Sequence, residues 1–409
     1  MNDSSSQPPT ARKRINVRRP DVMTLVQNEI EQHYRSAIVE KILAQGGELT
    51  LGNTTIRLAK KFGFCYGVER AIDLAYATRK VFPDQRIFLI GEIIHNPEVN
   101  QQLRDMGIVS LPWREMTKEY DDITAEDVVI VPAFGAPTSF MDRLAEIGCH
   151  VIDTTCGDVM KVWRRVRDYA KNNVTSIIHG KANHEETRAT ASRALGTDKN
   201  GHYLIILTSE EADYVCNYML GKGDREDFLK RFAHAYSKGF DPDLHLQEVG
   251  VANQTTMLQS ETEQLQEKLR NTIIERDGTP DAYHVFDTIC GATEERQSAL
   301  FGMIDSEDKP PMDILLVVGG YNSSNTTHLA EIGQENLPTF FIRNADCMKS
   351  LESIMHYDLK HKEEIESDYP NILAKDTPVI IGVTAGASCP NNLIESTIVR
   401  ALELRGIKL

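Results

Sequence analysis

The sequence predicts an α/β protein built on parallel sheets, and three observations carry that reading. From about residue 55 onward, strand-length apolar runs alternate with helical segments. The strongest of these runs, "DILLVVGG" (313–320) and "PVIIGVTAGAS" (378–388), fall well short of the roughly 18 residues a membrane span needs. Many runs also end in a short polar or glycine-rich junction directly before a helix, where ligands gather in parallel α/β folds.

Residues 1–20 place Arg12, Lys13, Arg14, Arg18 and Arg19 against Asp3 alone and lack an apolar signal core, which predicts a disordered basic tail. Residues 20–46 space Val22, Leu25, Val26, Ile30, Ile38 and Ile42 at helical intervals, beginning at a proline and stopping at glycines, so they predict one helix. The main body then alternates. "TTIRLAKKFGF" precedes the helix of "CYGVERAIDLAYATRKVF"; "RIFLIG" and "DVVIVPAFG" are strands before "TSFMDRLAEIG"; "HVIDTTC" leads into "GDVMKVWRRVRDYAKN". "VTSIIHGK", "HYLIIL", "HLQEVGVANQTT" and "AYHVFDTIC" are the next strands, with a helical stretch over about 209–238 and a long helix before "AYHVFDTIC". "DILLVVGGYN" and "PVIIGVTAGAS" close the series, each followed by a helix. The expected division is an extension over 1–55 and three α/β domains over 56–156, 157–289 and 290–409.

A net charge of −15 argues against a general nucleic-acid binder. The seven cysteines are odd in number, scattered and without a C-x-x-C, which predicts reduced thiols in a cytoplasmic protein rather than a secreted disulfide framework. Three of them share one context. Cys65 ("KKFGFC"), Cys156 ("HVIDTTC") and Cys290 ("HVFDTIC") each close a strand and open a helix, where the free N–H groups and dipole favour an anionic sulfur. Spacings this long suit a structural zinc poorly. A 4Fe-4S cluster fits better, because three cysteines leave one iron open as a Lewis acid. Three separate buried core cysteines are the plain alternative.

The other unusual junctions are polar. "GEIIHNPEVN" carries His95, "HGKANHEET" carries His184 and Glu186, and "VANQTT" carries Thr255 and Thr256. "GGYNSSNTTHL" sets Ser323, Ser324 and Asn325 at a helix start, and "TAGASCP" does the same with Ser388, the pattern of a phosphate cradle. An ordinary N-cap accounts for "NSSN" taken alone, and first-turn acids for Glu185 and Glu186. Taken together, the junctions equip a site for reductive removal of a hydroxyl from a phosphorylated alcohol, with a glutamate as proton donor.

On "GFCYGVERAI", "GEIIHNPEV", "DTTCGDVMKV", "NHEET", "NQTT", "DTICGATEERQ", "NSSNT" and "TAGASCP", over about 56–402, the chain resembles the IspH/LytB family of 4-hydroxy-3-methylbut-2-enyl diphosphate reductases. The resemblance implies a pseudo-threefold trefoil of three α/β domains around a 4Fe-4S cluster on Cys65, Cys156 and Cys290, with loss of the open iron giving a 3Fe-4S form. It implies diphosphate contacts from His95, His184, Ser323, Ser324, Asn325 and Ser388, with Thr255 at the substrate hydroxyl and Glu186 delivering protons. The implied reaction removes the C4 hydroxyl with two electrons and two protons, giving isopentenyl and dimethylallyl diphosphate. The long N-terminal extension and the segment near 209–248 resemble the plant and cyanobacterial branch. That branch implies ferredoxin, or flavodoxin, as electron donor, and a plastid stroma for a plant or algal source. Lys60, Lys61, Arg70 and Arg296 flank cluster junctions as candidates for a basic docking patch.

One departure stands out: many bacterial members have a histidine where "VPAFGAPT" puts Phe134. A quinolinate-synthase-like dehydratase and a cluster-bearing redox sensor remain as alternatives, and a homodimer through the 20–46 helix stays open. Asp153 and Asp287, repeated in the two "HVxDTxC" copies, are expected to order the junction backbone.

Overall fold

The computed structural model describes residues 16–113, 118–286, 289–368, 373 and 377–409. Residues 1–15, and with them most of the expected basic tail, lie outside that set, as does Asp287. The expected single N-terminal helix is two helices, α1 (Pro20–Tyr34) and α2 (Ala37–Ala44). Arg35 is extended, and Ser36 starts the second helix by accepting a hydrogen bond from the Val39 N–H at 2.9 Å.

The chain continues through β1 (Glu48–Leu51), β2 (Thr54–Leu58) and α3 (Tyr66–Val81). A first unit follows: β3 (Ile87–Ile90), α4 (Pro97–Asp105), β4 (Ile108–Leu111), β5 (Val128–Val131), α5 (Thr138–Ile147) and β6 (His150–Asp153). Then α6 (Gly157–Lys171) crosses to a second unit of β7 (Thr175–His179), α7 (Glu185–Ala194), β8 (Tyr203–Ile206), α8 (Ser209–Met219), α9 (Arg225–Arg231), α10 (Pro242–His245), β9 (Val249–Asn253), α11 (Gln259–Asp277) and β10 (Tyr283–Val285). The expected continuous helical stretch breaks between α8 and α9, where Gly221 adopts φ +72° and Asp224 caps the next helix. Finally α12 (Gly291–Ile304) leads to β11 (Ile314–Val318), α13 (Ser324–Asn336), β12 (Thr339–Ile342), the hairpin β13 (Ser353–Asp358) and β14 (Glu363–Asp368), β15 (Val379–Ala385) and α14 (Asn391–Leu404).

The strands build the same sheet three times. The orders are β4-β3-β5-β6, β8-β7-β9-β10 and β12-β11-β15-β2, with every pair in these runs parallel and β1 added antiparallel at the last edge. Their central strands β3, β5, β9 and β11 are buried throughout, as sheets covered by helices on both faces require.

This order corrects the expected domain boundaries. Residues 54–58 do not begin the first unit. They supply the fourth strand of the third, pairing with β15 from Thr54 opposite Val379 to Leu58 opposite Val383, and Ile56 and Leu58 share a core with Ile314 and Val383. Consequently α3, α6 and α12 each run from the fourth strand of one unit to the first strand of the next. Three crossovers of this kind close a ring.

Candidate functional site

The ring explains why three distant cysteines meet. Cys65, Cys156 and Cys290 occupy the N-cap positions of the three crossover helices α3, α6 and α12, all with extended backbone. Each backbone N–H is tied to the loop after the neighbouring parallel strand: Cys156 to Ala133 O at 2.7 Å, Cys290 to Thr255 O at 3.3 Å and Cys65 to Ala387 O at 3.3 Å. Three residues separate β6 from α6, five β10 from α12 and seven β2 from α3, so the Cys65 junction is longer than expected. All three thiols line one cavity, and Cys149, Cys216, Cys347 and Cys389 are buried away from it.

Gly67, in the first turn of α3, shows how closely the sulfurs are gathered. A Cβ there would lie 2.6 Å from Cys156 Sγ and 3.9 Å from Cys65 Sγ. Burial pushes the Cys156 thiol up and the Cys290 thiol up to about 12, while Thr293 touches the latter through its N–H at 3.3 Å and its hydroxyl at 3.0 Å. Three converging thiols at helix N-termini, with a glycine clearing the space beside them, fit a metal cluster whose binding displaces the thiol protons. Asp153 does what the sequence suggests, accepting from the Thr155 N–H at 2.9 Å and the Thr155 hydroxyl at 2.5 Å just before Cys156.

The polar residues line the same cavity: His95, His184, Glu186, Thr255, Ser323, Ser324, Asn325 and Ser388 are all in its wall. They come from two equivalent positions, the first used by all three units and the second by two of them. The loops after β3, β7 and β11 bring His95, His184 and the Ser323–Asn325 run, and the loops after β9 and β15 bring Thr255 and Ser388. His184 Nε2 and Asn325 Nδ2 are buried without a hydrogen-bond partner, and His95 Nε2, from the first unit, faces Glu185 Oε2 at 3.6 Å. Each is fixed from behind. His184 Nδ1 accepts from the Glu186 N–H at 3.2 Å, so the ring proton belongs on Nε2, and burial holds this imidazole well below its ordinary pKa. His95 Nδ1 lies 3.2 Å from Glu92 Oε2, and the Ala387 N–H donates to Asn325 Oδ1 at 2.9 Å, which leaves the amide NH₂ facing the cavity. Buried unpaired donors are costly unless a ligand takes them up, so His184 Nε2 and Asn325 Nδ2 describe an anion site.

Glu186 is buried in the wall with its carboxylate gripped on both oxygens. The Thr255 N–H donates to Oε1 at 2.6 Å and the Thr255 hydroxyl to Oε2 at 3.1 Å. Burial outweighs these bonds and raises its pKa from 4.5 to about 7. It can therefore hold a proton at neutral pH and release it.

The position after β5 equivalent to Thr256 and Ser388 is Phe134. Its ring stacks on His95 with centroids 4.7 Å apart and planes at 11°, and meets His184 edge-on at 6.4 Å. The turn is fixed behind it: Gly135 has φ +81°, and a Cβ there would strike the Trp163 ring at 2.3 Å. Thus an aromatic wall stands where the other two units are polar.

Several contributors were not singled out in the sequence. Gln254, inside the quoted "NQTT", donates to Ser324 Oγ at 3.0 Å and to Thr256 Oγ1 at 2.8 Å and accepts from the Thr187 hydroxyl at 3.0 Å, binding two units together. Asn322 donates to Glu92 at 3.0 Å behind His95. The expected basic patch is reduced. Arg70 donates to Thr154 O and Thr155 O at 3.1 Å each, and buried Arg296 donates to Gly63 O at 2.6 Å, so only Lys60 and Lys61 of the four are exposed.

Residues 56–403 match the family model described as LytB protein. A Synechococcus sp. (strain RCC307) protein named 4-hydroxy-3-methylbut-2-enyl diphosphate reductase is 46% identical over 93% of this chain and 91% of its own length. A Thermosynechococcus vestitus protein of the same name is 45% identical over 93% and 92%. Two solved structures share the fold. One is described as (E)-4-hydroxy-3-methyl-but-2-enyl diphosphate reductase, the terminal enzyme of the non-mevalonate pathway; it is 24% identical with a TM-score of 0.51, covering 85% of this chain and 99% of that one. The other, the corresponding reductase of Plasmodium falciparum, is 22% identical with a TM-score of 0.62 over 87% and 90%.

Proposed function

The chain belongs to the LytB protein family, and from that premise we propose that it is an iron–sulfur reductase acting on 4-hydroxy-3-methylbut-2-enyl diphosphate. Two electrons and two protons convert the C4 hydroxyl to water and leave isopentenyl or dimethylallyl diphosphate. The observation that carries the reading is the convergence of three thiols, two unpartnered donors and one raised carboxyl in a single cavity. The proposed cluster is 4Fe-4S on Cys65, Cys156 and Cys290, and when bound it supplies electrons and Lewis acidity.

The protein's part is to bind, orient and protonate. His184 and Asn325 present N–H donors to the diphosphate, and the His95 ring stands beside them in the same wall. Ser324 Oγ already accepts from Gln254, which frees its own proton for the ligand. Ser323 Oγ likewise accepts from the Thr326 hydroxyl at 3.0 Å, and Ser388 adds a hydroxyl from the third unit. With the anion held there, the hydroxyl end of a short allylic chain reaches toward the thiols and Thr255. Glu186, protonated near neutrality, delivers a proton through Thr255 to the departing oxygen. The buried wall, with Phe134 on one side, excludes bulk water from the reacting carbon.

Anaerobic purification, an iron and sulfide assay and a dithionite-driven assay with the hydroxylated diphosphate test the proposal. Brown protein that consumes the substrate and forms the two five-carbon diphosphates is expected. Fully metallated protein that leaves the substrate untouched would refute it.

A further inference from the structure

The chain carries a net charge of −15, yet α6 runs against that balance. It holds Lys161, Arg164, Arg165, Arg167 and Lys171 against Asp158 and Asp168. Helical spacing puts Met160, Arg164, Arg167 and Lys171 on one stripe, and all four are exposed, while Val162, Val166 and Tyr169 form the buried face. Lys161 pairs with Asp158 at 2.7 Å and Lys171 with Asp168 at 3.8 Å. Arg164 and Arg167 have no ion-pair partner among the described residues.

The stripe begins at the thiols. α6 starts on Cys156, whose Sγ lies 3.9 Å from the hydroxyl of Tyr66, and Tyr66 is 55% exposed. That hydroxyl also packs over Gly157, where a Cβ would meet it at 2.6 Å. Beside the helix, Arg165 lies 4.1 Å over the ring of Phe286, which is 39% exposed, as is Met160. Exposed aromatic and thioether groups rimmed by unpaired guanidinium groups have the composition of a protein interface, and here the helix that carries the guanidinium groups starts at Cys156.

We propose that this face, from Tyr66 along α6 to Lys171, docks a small acidic electron-carrier protein. The proposal rests on the reductase reading, which requires an external source of two electrons. Two carrier molecules are each oxidised by one electron, and with two protons the substrate C–OH becomes C–H and water. Charge complementarity selects the partner: an acidic surface would be steered to this basic strip beside the thiols.

The test uses the holoenzyme, the double variant Arg164→Glu/Arg167→Glu and a plant-type 2Fe-2S ferredoxin as the acidic probe. Titration calorimetry at low and high salt gives affinity, and turnover is measured with reduced ferredoxin and with dithionite alone. For the wild type, binding should weaken as salt rises. In the variant, affinity at low salt should fall at least about tenfold and KM for ferredoxin should rise in parallel. Iron content and dithionite-driven turnover should be unchanged. Equal ferredoxin affinity for variant and wild type would overturn the docking face whatever the turnover. Failure of the reductase reading shows itself differently, as a metallated wild type inactive with dithionite.

Discussion

The loops after β5 and β9 are the same piece of backbone put to opposite uses. Ala133 and Thr255 both accept the N–H of a cysteine from the adjacent strand, yet the side chains that follow them differ. After β9, Thr255 grips Glu186 and Thr256 binds Gln254. After β5, Phe134 lies flat on His95. The threefold fold therefore fixes where the cysteines and junctions stand, whereas the chemistry of each junction is chosen residue by residue. One unit supplies the acid, one the hydroxyls and the third an apolar wall that holds a histidine in place.

Changes to the shared framework should cost the most. Gly67→Ala inserts a methyl group 2.6 Å from Cys156 Sγ, and overpacking of this kind costs about 1–3 kcal/mol. It is expected to lower bound iron and turnover together, by about tenfold or more, while circular dichroism stays native. Full iron occupancy in this variant would show that the sulfurs do not gather as described.

Changing the acid on one junction comes next. Glu186→Gln should keep the iron content and bind the diphosphate but lose about 10²- to 10⁴-fold in kcat, the range of a lost general acid. Because the carboxyl is raised to about 7, wild-type kcat should decline as pH climbs through that value, and the variant should lack this limb. The stability effect has the same sign. A pKa raised by burial contributes stability that is complete below about 4.5 and lost as pH approaches and passes about 7. Thermal melts of Glu186→Gln against wild type should accordingly favour the variant more at pH 8 than at pH 5, and a constant difference would contradict the buried acid.

The apolar junction should give the smallest effect. Phe134→Leu removes the stacked ring and frees His95 to turn, so KM for the diphosphate should rise severalfold with kcat little changed, and Phe134→Tyr should restore it. An aromatic stacking pair is worth about 0.5–1.5 kcal/mol, which sets that scale. An unchanged KM in Phe134→Leu would mean that Phe134 only fills space.

Much of the site was legible because its parts are local. Strand, cysteine and helix cap are adjacent in "HVIDTTC" and "HVFDTIC", and "NHEET" places His184 and Glu186 two residues apart on one cap. All eleven expected site residues lie in one cavity wall. What stayed hidden depends on pairing across the chain. Nothing within "TTIRLAKK" says that β2 joins β15, which follows it by more than 300 residues, so the first domain boundary was misplaced. The break at Ser36 was masked by apolar spacing that continues through both α1 and α2. Arg70 and Arg296 look like surface charges in sequence, and only the fold turns them onto the carbonyls of Thr155 and Gly63. Gln254 was passed over because its partners, Ser324 and Thr187, come from two different junctions.

The central claim is that one ring of three crossover helices brings three particular thiols to one cluster. Measuring iron per protein after anaerobic purification of the Cys65→Ser, Cys156→Ser, Cys290→Ser, Cys347→Ser and Cys389→Ser variants tests it most directly. Loss of cluster iron in the first three and wild-type iron in the last two is the predicted result. Full iron in any of the first three, or its loss only in the last two, would contradict it.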